Sequence, residues 1–130
     1  MTDEERIETA AALKRDGKCN CAQAVLKVFS DKISLDEEDM MNLSSGFAAG
    51  MGSMEATCGA LIGAVMVAGF LRNGKGAPAA ARGILGKFRE KSGALVCREL
   101  KGIESGKVLC PCPDCVRNAV SALVETLRES

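Results

Sequence analysis

Histidine is absent from this chain of 130 residues. Because imidazole is the usual general base near neutral pH and the commonest metal ligand, any site must be built from thiols, carboxylates or backbone groups. A Ser-His-Asp triad cannot be assembled, and zinc sites that mix cysteine with histidine are excluded. The chain instead carries seven cysteines, so we expect sulfur chemistry.

The chain also lacks an excess of either charge, with 17 basic and 17 acidic residues. This balance argues against a broad basic field that would recruit nucleic acid or an anionic membrane. The sequence does not open with a basic segment followed by an apolar stretch, so we expect no secretory signal and a cytoplasmic location. In a reducing cytosol, many cysteines indicate metal binding, redox exchange or buried packing rather than a static disulfide framework.

Long hydrophobic runs are lacking as well. The 16 residues between Glu55 and Arg72 carry no charge, which is short of the roughly 20 apolar residues that a membrane-spanning helix needs. The same run contains three glycines. We therefore expect a buried central helix rather than a membrane span.

The hydrophobic pattern predicts an all-α fold, because no sustained period-two alternation indicates a strand. Residues 1–130 suit one cysteine-rich domain, a compact small bundle of about six helices around the buried central helix. Thr2 and Glu5 have capping-box spacing at the start of a first helix, and Asn20 is placed to cap a second over 21–30. Ser34, with Glu37 three residues later, predicts the cap of a third.

Glycine and proline mark the remaining elements. A glycine-rich passage over 46–53 leads into the central helix, predicted over 54–71. Pro78 suits the first turn of a further helix, a short helix ends at Gly102, and Pro113 suits the first position of the last helix. The passage lacks the Lys-Ser/Thr end of a phosphate loop, so no nucleotide site is predicted.

Three cysteines lie at predicted helix starts, where backbone N–H groups and the helix dipole favour a thiolate. They are Cys21, and Cys112 with Cys115 in a Cys-x-x-Cys arrangement. An exposed dipole contributes only about 0.3–1 kcal/mol, well under one pKa unit, so a reactive thiolate also needs a nearby cation, a metal or desolvation. One helical turn brings the two sulfurs of a Cys-x-x-Cys pair within disulfide reach, although no strand precedes it as in a thioredoxin-like fold.

The other four cysteines carry weaker signals. Cys19 and Cys110 each stand one residue from another cysteine, a gap shorter than that of zinc knuckles. Cys58 and Cys97 are isolated along the chain and read as small buried hydrophobes, unless a bundle brings them together with thiols from other helices.

Several blocks of the sequence together form a known signature. They are 20–25, 46–52, 58–63, 97–100, and Cys115 leading into Val116. In this order they resemble the family of redox-active proteins named for the cysteine signature C_GCAxxG_C_C. The resemblance implies a small helical bacterial protein with a redox role, whose four signature cysteines fall on Cys21, Cys58, Cys97 and Cys115.

Three functions remain open at this point. The first is a thiol redox or electron-transfer protein whose signature cysteines Cys21, Cys58, Cys97 and Cys115 converge. The second is a metal protein that holds zinc or an iron–sulfur cluster through the same thiolates, with Cys19, Cys110 and Cys112 as accessory ligands. The third is a non-catalytic helical interaction protein with inert buried thiols.

The expected partner is a redox protein, rather than nucleic acid or a membrane. A homodimer through the small glycine face of the central helix is left open. The sequence favours neither an enzyme nor a carrier.

Overall fold

A computed structural model describes residues 1–129 of the chain. In this part of the chain the fold is all-α, which confirms the predicted class, with one isolated bridge between Thr57 and Val96 and no named strand. A short 3₁₀ turn (Ser45–Phe47) and a π turn (Gly50–Met54) lie between the third and fourth helices. The α-helices are α1 (Asp3–Arg15), α2 (Cys21–Lys27), α3 (Glu37–Ser44), α4 (Gly59–Leu71), α5 (Ala77–Ser92), α6 (Cys97–Lys101) and α7 (Cys112–Arg128).

Local capping explains where the first helices begin. Thr2 and Asn20 cap α1 and α2 through capping boxes, as predicted. The predicted cap at Ser34 was wrong: Asp36 caps α3 and accepts a hydrogen bond from the backbone N–H of Asp39. A carboxylate directly before the first turn satisfies a free N–H group and interacts favourably with the helix dipole.

The central helix starts five residues later than predicted, at Gly59 instead of 54, with Cys58 as its N-cap. The reason is a run of left-handed backbone in the glycine-rich passage, where Met51, Gly52 and Met54 have φ values of 61°, 77° and 64°. These conformations are incompatible with a right-handed helix. Residues 50–58 therefore form a separate segment in front of α4.

Other helix ends differ little from the predictions. Helix α2 ends at Lys27 instead of 30, followed by a turn that buries Val28 and Phe29. Pro113 is the second residue of α7 rather than the first, because Pro111 precedes the helix as its N-cap. Gly102 ends α6 with a φ of 68°, as expected of a C-cap glycine.

Helix α4 packs between α2, α5 and α7, and its small residues allow close contact with α2. A β-carbon at Gly63 would lie 2.9 Å from the carbonyl oxygen of Ala22 and 3.2 Å from the β-carbon of Val25. Leu61 and Val67 of the same helix are fully buried. None of the described helices combines the length and hydropathy needed to cross a bilayer.

Two backbone contacts bring the starts of α4 and α6 side by side. The N–H of Cys58 donates to the carbonyl of Leu95 at 2.8 Å, and the N–H of Cys97 donates to the carbonyl of Ala56 at 3.0 Å. After α6 the chain returns, and the N–H of Cys110 donates to the carbonyl of Leu100 at 3.2 Å. These contacts set cysteines from distant parts of the sequence at one end of the bundle.

Helix α1 is fixed by a buried arginine. Arg6 pairs with Asp31, with Nη1 2.7 Å from Oδ1, and its guanidinium lies 4.8 Å from the ring centre of Phe29. A buried arginine is favourable only when its donors are satisfied in this way. With α1 held on the turn after α2, Lys14 of its last turn reaches the cysteine end of the bundle.

Candidate functional site

Six of the seven cysteines line one cavity of about 50 Å³. All four signature positions are among them, while Cys19 is buried elsewhere. Two lysines complete the polar part of the wall, and no acidic residue is found among the lining residues that the structure describes. The lining residues are Lys14, Cys21, Ala49, Gly50, Cys58, Gly59, Cys97, Leu100, Lys101, Cys110, Cys112 and Cys115.

The cavity cysteines are concentrated at helix starts. Cys21, Cys97 and Cys112 are the first residues of α2, α6 and α7, and Cys58 is the N-cap of α4. Cys115 lies one turn into α7. Because the first N–H groups of a helix have no intrahelical partner, sulfur at these positions meets unpaired donors and a positive partial charge.

Cys112 is the one cysteine of the seven that is not buried. Its sulfur accepts a hydrogen bond from the ammonium of Lys101. A hydrogen bond from Cys21 and the contact with Lys101 outweigh partial burial and lower the pKa of Cys112 to about 5, with a smaller contribution from the charge of Lys14. At neutral pH Cys112 is therefore a thiolate, the nucleophilic form of cysteine.

The pKa values of the two neighbours of Cys112 are shifted upward instead. Donation to the Cys112 sulfur, together with burial, raises the pKa of Cys21 well above its usual range. Burial lowers the pKa of Lys101, but the hydrogen bond and the charge of Cys112 outweigh this and the net shift is upward. Cys21 thus holds the proton and Cys112 the charge, with an ammonium beside them.

A second group of thiols lies deeper. Hydrogen bonds with Cys110 and Cys58 raise the pKa of Cys115 far above its usual range. The hydrogen bond with Cys115 lowers the pKa of Cys58 although burial raises it, and hydrogen bonds from the backbone N–H groups of Ala60 and Leu61 lower it further. Cys115 is therefore the protonated member of this group.

Cys110 is the third thiol of the deeper group. A hydrogen bond with Cys115 outweighs burial and, with help from Ser92, lowers the pKa of Cys110 to about 7. The side-chain amide of Asn118 donates to Ser92 Oγ at 3.0 Å and to the Cys110 sulfur at 3.7 Å. A serine and an asparagine thus orient the thiol that precedes the Cys112 turn.

The remaining two cysteines differ from these groups. Burial raises the pKa of Cys97 and of Cys19, which keeps both protonated at neutral pH. Cys97 belongs to the cavity wall and packs against Gly50, whereas Cys19 does not line the cavity. Cys19 is therefore a natural reference thiol for the others.

The sequence of this chain matches one family model. Residues 19–126 match the model of the family described as putative redox-active protein (C_GCAxxG_C_C). The chain belongs to this family. No curated protein and no solved structure matches the chain.

The thiols of this C_GCAxxG_C_C protein contact one another in two groups. All seven cysteines are free, and within residues 1–129 no group of three or more cysteine, aspartate or glutamate side chains is arranged to hold a metal ion. Zinc and iron–sulfur clusters both call for four ligands directed at one centre. The sulfurs hydrogen-bond to one another in a group of two and a group of three, which suits thiol chemistry.

Two features of this site were not assigned from the sequence. Cys112 was placed among the accessory cysteines because it lies outside the signature, although its position at a helix start did indicate reactivity. Lys101 gave no signal, because it stands 11 residues from Cys112 on a different helix. Only the return of the chain after α6 brings the two together.

Proposed function

We propose that this C_GCAxxG_C_C protein is a thiol redox protein in which Cys112 is the nucleophile and Cys21 the second thiol of the exchange. One observation carries the proposal: the least buried cysteine is held as a thiolate between a thiol donor and an ammonium. The sulfurs of Cys21 and Cys112 are already in hydrogen-bond contact. Little movement is needed to join them in a disulfide.

The exchange follows from the distribution of protons. The Cys112 thiolate attacks one sulfur of a disulfide, a mixed disulfide forms, and the other sulfur leaves as a thiolate. Cys21 then attacks the Cys112 sulfur, forming the Cys21–Cys112 disulfide and expelling the second substrate thiolate. Cys112 no longer carries negative charge in the mixed disulfide, so Cys21 loses its proton more easily at that stage. Two electrons and the one proton of Cys21 pass to the substrate, because Cys112 starts as a thiolate.

Cys58 and Cys115 supply a second dithiol in this proposal. Their side chains share a hydrogen bond, and Cys115 lies one helical turn from Cys112. Attack by the Cys58 thiolate on the Cys21 sulfur of the Cys21–Cys112 disulfide would release the Cys112 thiolate. Attack by Cys115 on Cys58, with the Cys115 proton passing to Cys21, would then complete the inner disulfide and restore the outer pair. Cys97, the one signature cysteine outside these two pairs, forms part of the wall around these thiols.

The proposal includes a partner. A protein dithiol must return the electrons, which is the role we assign to the expected redox partner, and a reducing cytoplasmic location suits resting thiols. Lys101 and Lys14 favour a partner that brings negative charge to the mouth of the cavity.

The test is a redox titration of the full chain with dithiothreitol, with disulfides mapped by mass spectrometry. We expect the Cys21–Cys112 disulfide in the oxidised wild type, loss of this transition in Cys112→Ser and in Cys21→Ser, and an unchanged titration in the control Cys19→Ser. A Cys112→Ser variant that titrates like the wild type would refute the proposal. So would thiols that resist alkylation until the protein unfolds, the behaviour of inert buried cysteines.

A further inference from the structure

The size of the cavity limits what can reach the Cys112 thiolate through it. Its volume is about 50 Å³, which is room for about three or four water-sized atoms. A peptide disulfide cannot enter such a space. A substrate that reacts inside the cavity must present one or two heavy atoms at its leading end.

The charge of the wall indicates an anion. Lys14 and Lys101 both line the cavity, and no acidic side chain does so among the described residues. The ammonium of Lys101 already contacts the sulfur on which the reaction would start. Because Lys101 offsets the charge of the Cys112 thiolate, the ammonium of Lys14 gives a negative end group a favourable interaction that a neutral molecule such as hydrogen peroxide does not gain.

The rest of the wall indicates which kind of anion. Apart from the two lysines, the wall formed by the described residues consists of thiols, two glycines, Ala49 and Leu100, with no hydroxyl, amide or guanidinium side chain among them. Phosphate or sulfate would lose several hydrogen bonds to water and, among the described side chains of the wall, would meet only two lysines and weak thiol donors in return. A polarizable, weakly hydrated sulfur anion loses less on entering a wall of sulfur and carbon.

We propose that the physiological oxidant is sulfane sulfur: the cavity takes the anionic end of a small persulfide or polysulfide between Lys14 and Lys101, and the outer sulfur is reduced to hydrosulfide. This proposal rests on the function proposed above and names the substrate class of the same site. The shared chemistry is a terminal sulfur anion, which inorganic polysulfide and low-molecular-weight persulfides both supply.

The reaction balances in two steps. The Cys112 thiolate attacks the outer sulfur of R–S–S⁻, and the bond between the two substrate sulfurs breaks. R–S⁻ departs, and Cys112 now carries the outer sulfur as a persulfide anion. Cys21 then attacks the Cys112 Sγ atom, the bond from Sγ to the outer sulfur breaks, and this sulfur takes the Cys21 proton and leaves as HS⁻. The sulfane sulfur gains two electrons, the two thiols become a disulfide, and an external dithiol reduces the pair for the next cycle.

The experiment follows sulfide release from the reduced full chain in a single turnover without added reductant. Inorganic polysulfide and glutathione persulfide are supplied in separate arms, and glutathione disulfide and hydrogen peroxide serve as comparison oxidants. We expect the wild type to release at least one equivalent of hydrosulfide with a sulfane donor. Cys112→Ser should release only the background amount that its other cysteines produce. Cys21→Ser should accumulate Cys112 carrying one additional sulfur atom, visible by mass spectrometry.

Charge variants test the role of the cavity. Lys14→Met is expected to slow sulfide release about tenfold, because an ion pair with the anionic end group is lost. Disulfide formation by hydrogen peroxide, which is neutral, should slow much less, since Lys14 makes only a smaller contribution to the pKa of Cys112. The matched control is Lys18→Met, since Lys18 is exposed and outside the cavity. Comparing the rates of the two sulfane arms identifies the source that the protein prefers.

The outcomes separate the two proposals. If glutathione disulfide or peroxide forms the Cys21–Cys112 disulfide faster than either sulfane donor, or if no sulfide is released, the substrate proposal is overturned while the thiol redox function stands. If none of the four oxidants joins Cys21 to Cys112, the redox function itself is refuted. Equal rates in Lys14→Met and Lys18→Met would overturn the cavity as the anion site.

Discussion

The backbone of Gly50 lies directly against the side chain of Cys97. A β-carbon built on Gly50 would lie 2.6 Å from the β-carbon of Cys97 and 3.4 Å from its sulfur. The φ of Gly50 is also positive, at 59°. The glycine-rich passage thus places its backbone against the first residue of α6 and closes one side of the cysteine cavity.

Gly50→Ala should therefore disturb both stability and the cavity. Gly52→Ala is the matched control, because Gly52 has a positive φ of 77° but no atom within 4 Å of the added β-carbon. Each substitution costs about 1–2 kcal/mol for the left-handed backbone, and Gly50→Ala should cost about 1–3 kcal/mol more for the overlap with Cys97. Urea unfolding measures the difference, and faster alkylation of Cys97 reports the opened wall. Equal losses in the two variants would show that the contact is unimportant.

A second pair of glycines tests the packing of α4 on α2. At Gly63 an added β-carbon would lie 2.9 Å from the carbonyl oxygen of Ala22, whereas at Gly69 it would meet nothing within 4 Å. We expect Gly63→Ala to lower the free energy of unfolding by about 1–3 kcal/mol. Gly69→Ala should raise it by up to about 1 kcal/mol through better helix propensity. Thermal and urea unfolding would contradict this packing if the two substitutions shifted stability in the same direction.

The parts of the fold that were predicted correctly depend on local interactions. The caps at Thr2 and Asn20 and the end of α6 at Gly102 each rest on contacts within a few residues, which the sequence displays directly. The start of α4 was missed because the left-handed conformations at Met51 and Met54 occur at residues that do not favour them. Tertiary contacts, such as Gly50 against Cys97, accompany this backbone.

The same distinction applies to the candidate site. The positions of Cys21 and Cys112 at helix starts were visible in the sequence, and the family signature named Cys58 and Cys97. The pairing of Cys21 with Cys112, however, joins residues 91 positions apart through the packing of α2 near α7. The cation that completes the thiolate site comes from α6, so its identity depended on the tertiary fold.

Removing that cation should weaken the Cys112 nucleophile. Lys101→Met deletes a hydrogen bond and a positive charge from the sulfur, so the pKa of Cys112 should rise from about 5 and its alkylation at pH 6 should slow. Lys101→Arg keeps the charge and should restore most of the rate. The measurement is the pH profile of iodoacetamide labelling at Cys112, followed by mass spectrometry. Lys75→Met, in an exposed loop, is the control, and a Lys101→Met profile that overlays the control would contradict this role.

The pH dependence of stability offers an independent test of the same thiolate. The pKa of Cys112 is about 5 in the folded protein against 9.0 for an ordinary thiol. A depressed folded pKa means that the stabilisation is complete above pH 9 and is lost as pH falls from 9 to 5. The pKa of Cys110 is also lowered, to about 7, so this thiol gives a pH dependence of stability with the same sign. The chain has no histidine to titrate in this window.

Urea unfolding of the fully reduced protein should therefore give a free energy of unfolding that rises with pH between 5 and 9. Cys112→Ser should flatten the rise, most clearly below pH 7 where Cys110 contributes least. Cys19→Ser should leave the slope unchanged, because burial raises the pKa of Cys19 and its effect begins only above pH 9. If the wild-type and Cys112→Ser curves run parallel from pH 5 to 9, Cys112 is not ionised preferentially in the folded state, and it cannot be the resting nucleophile of this site.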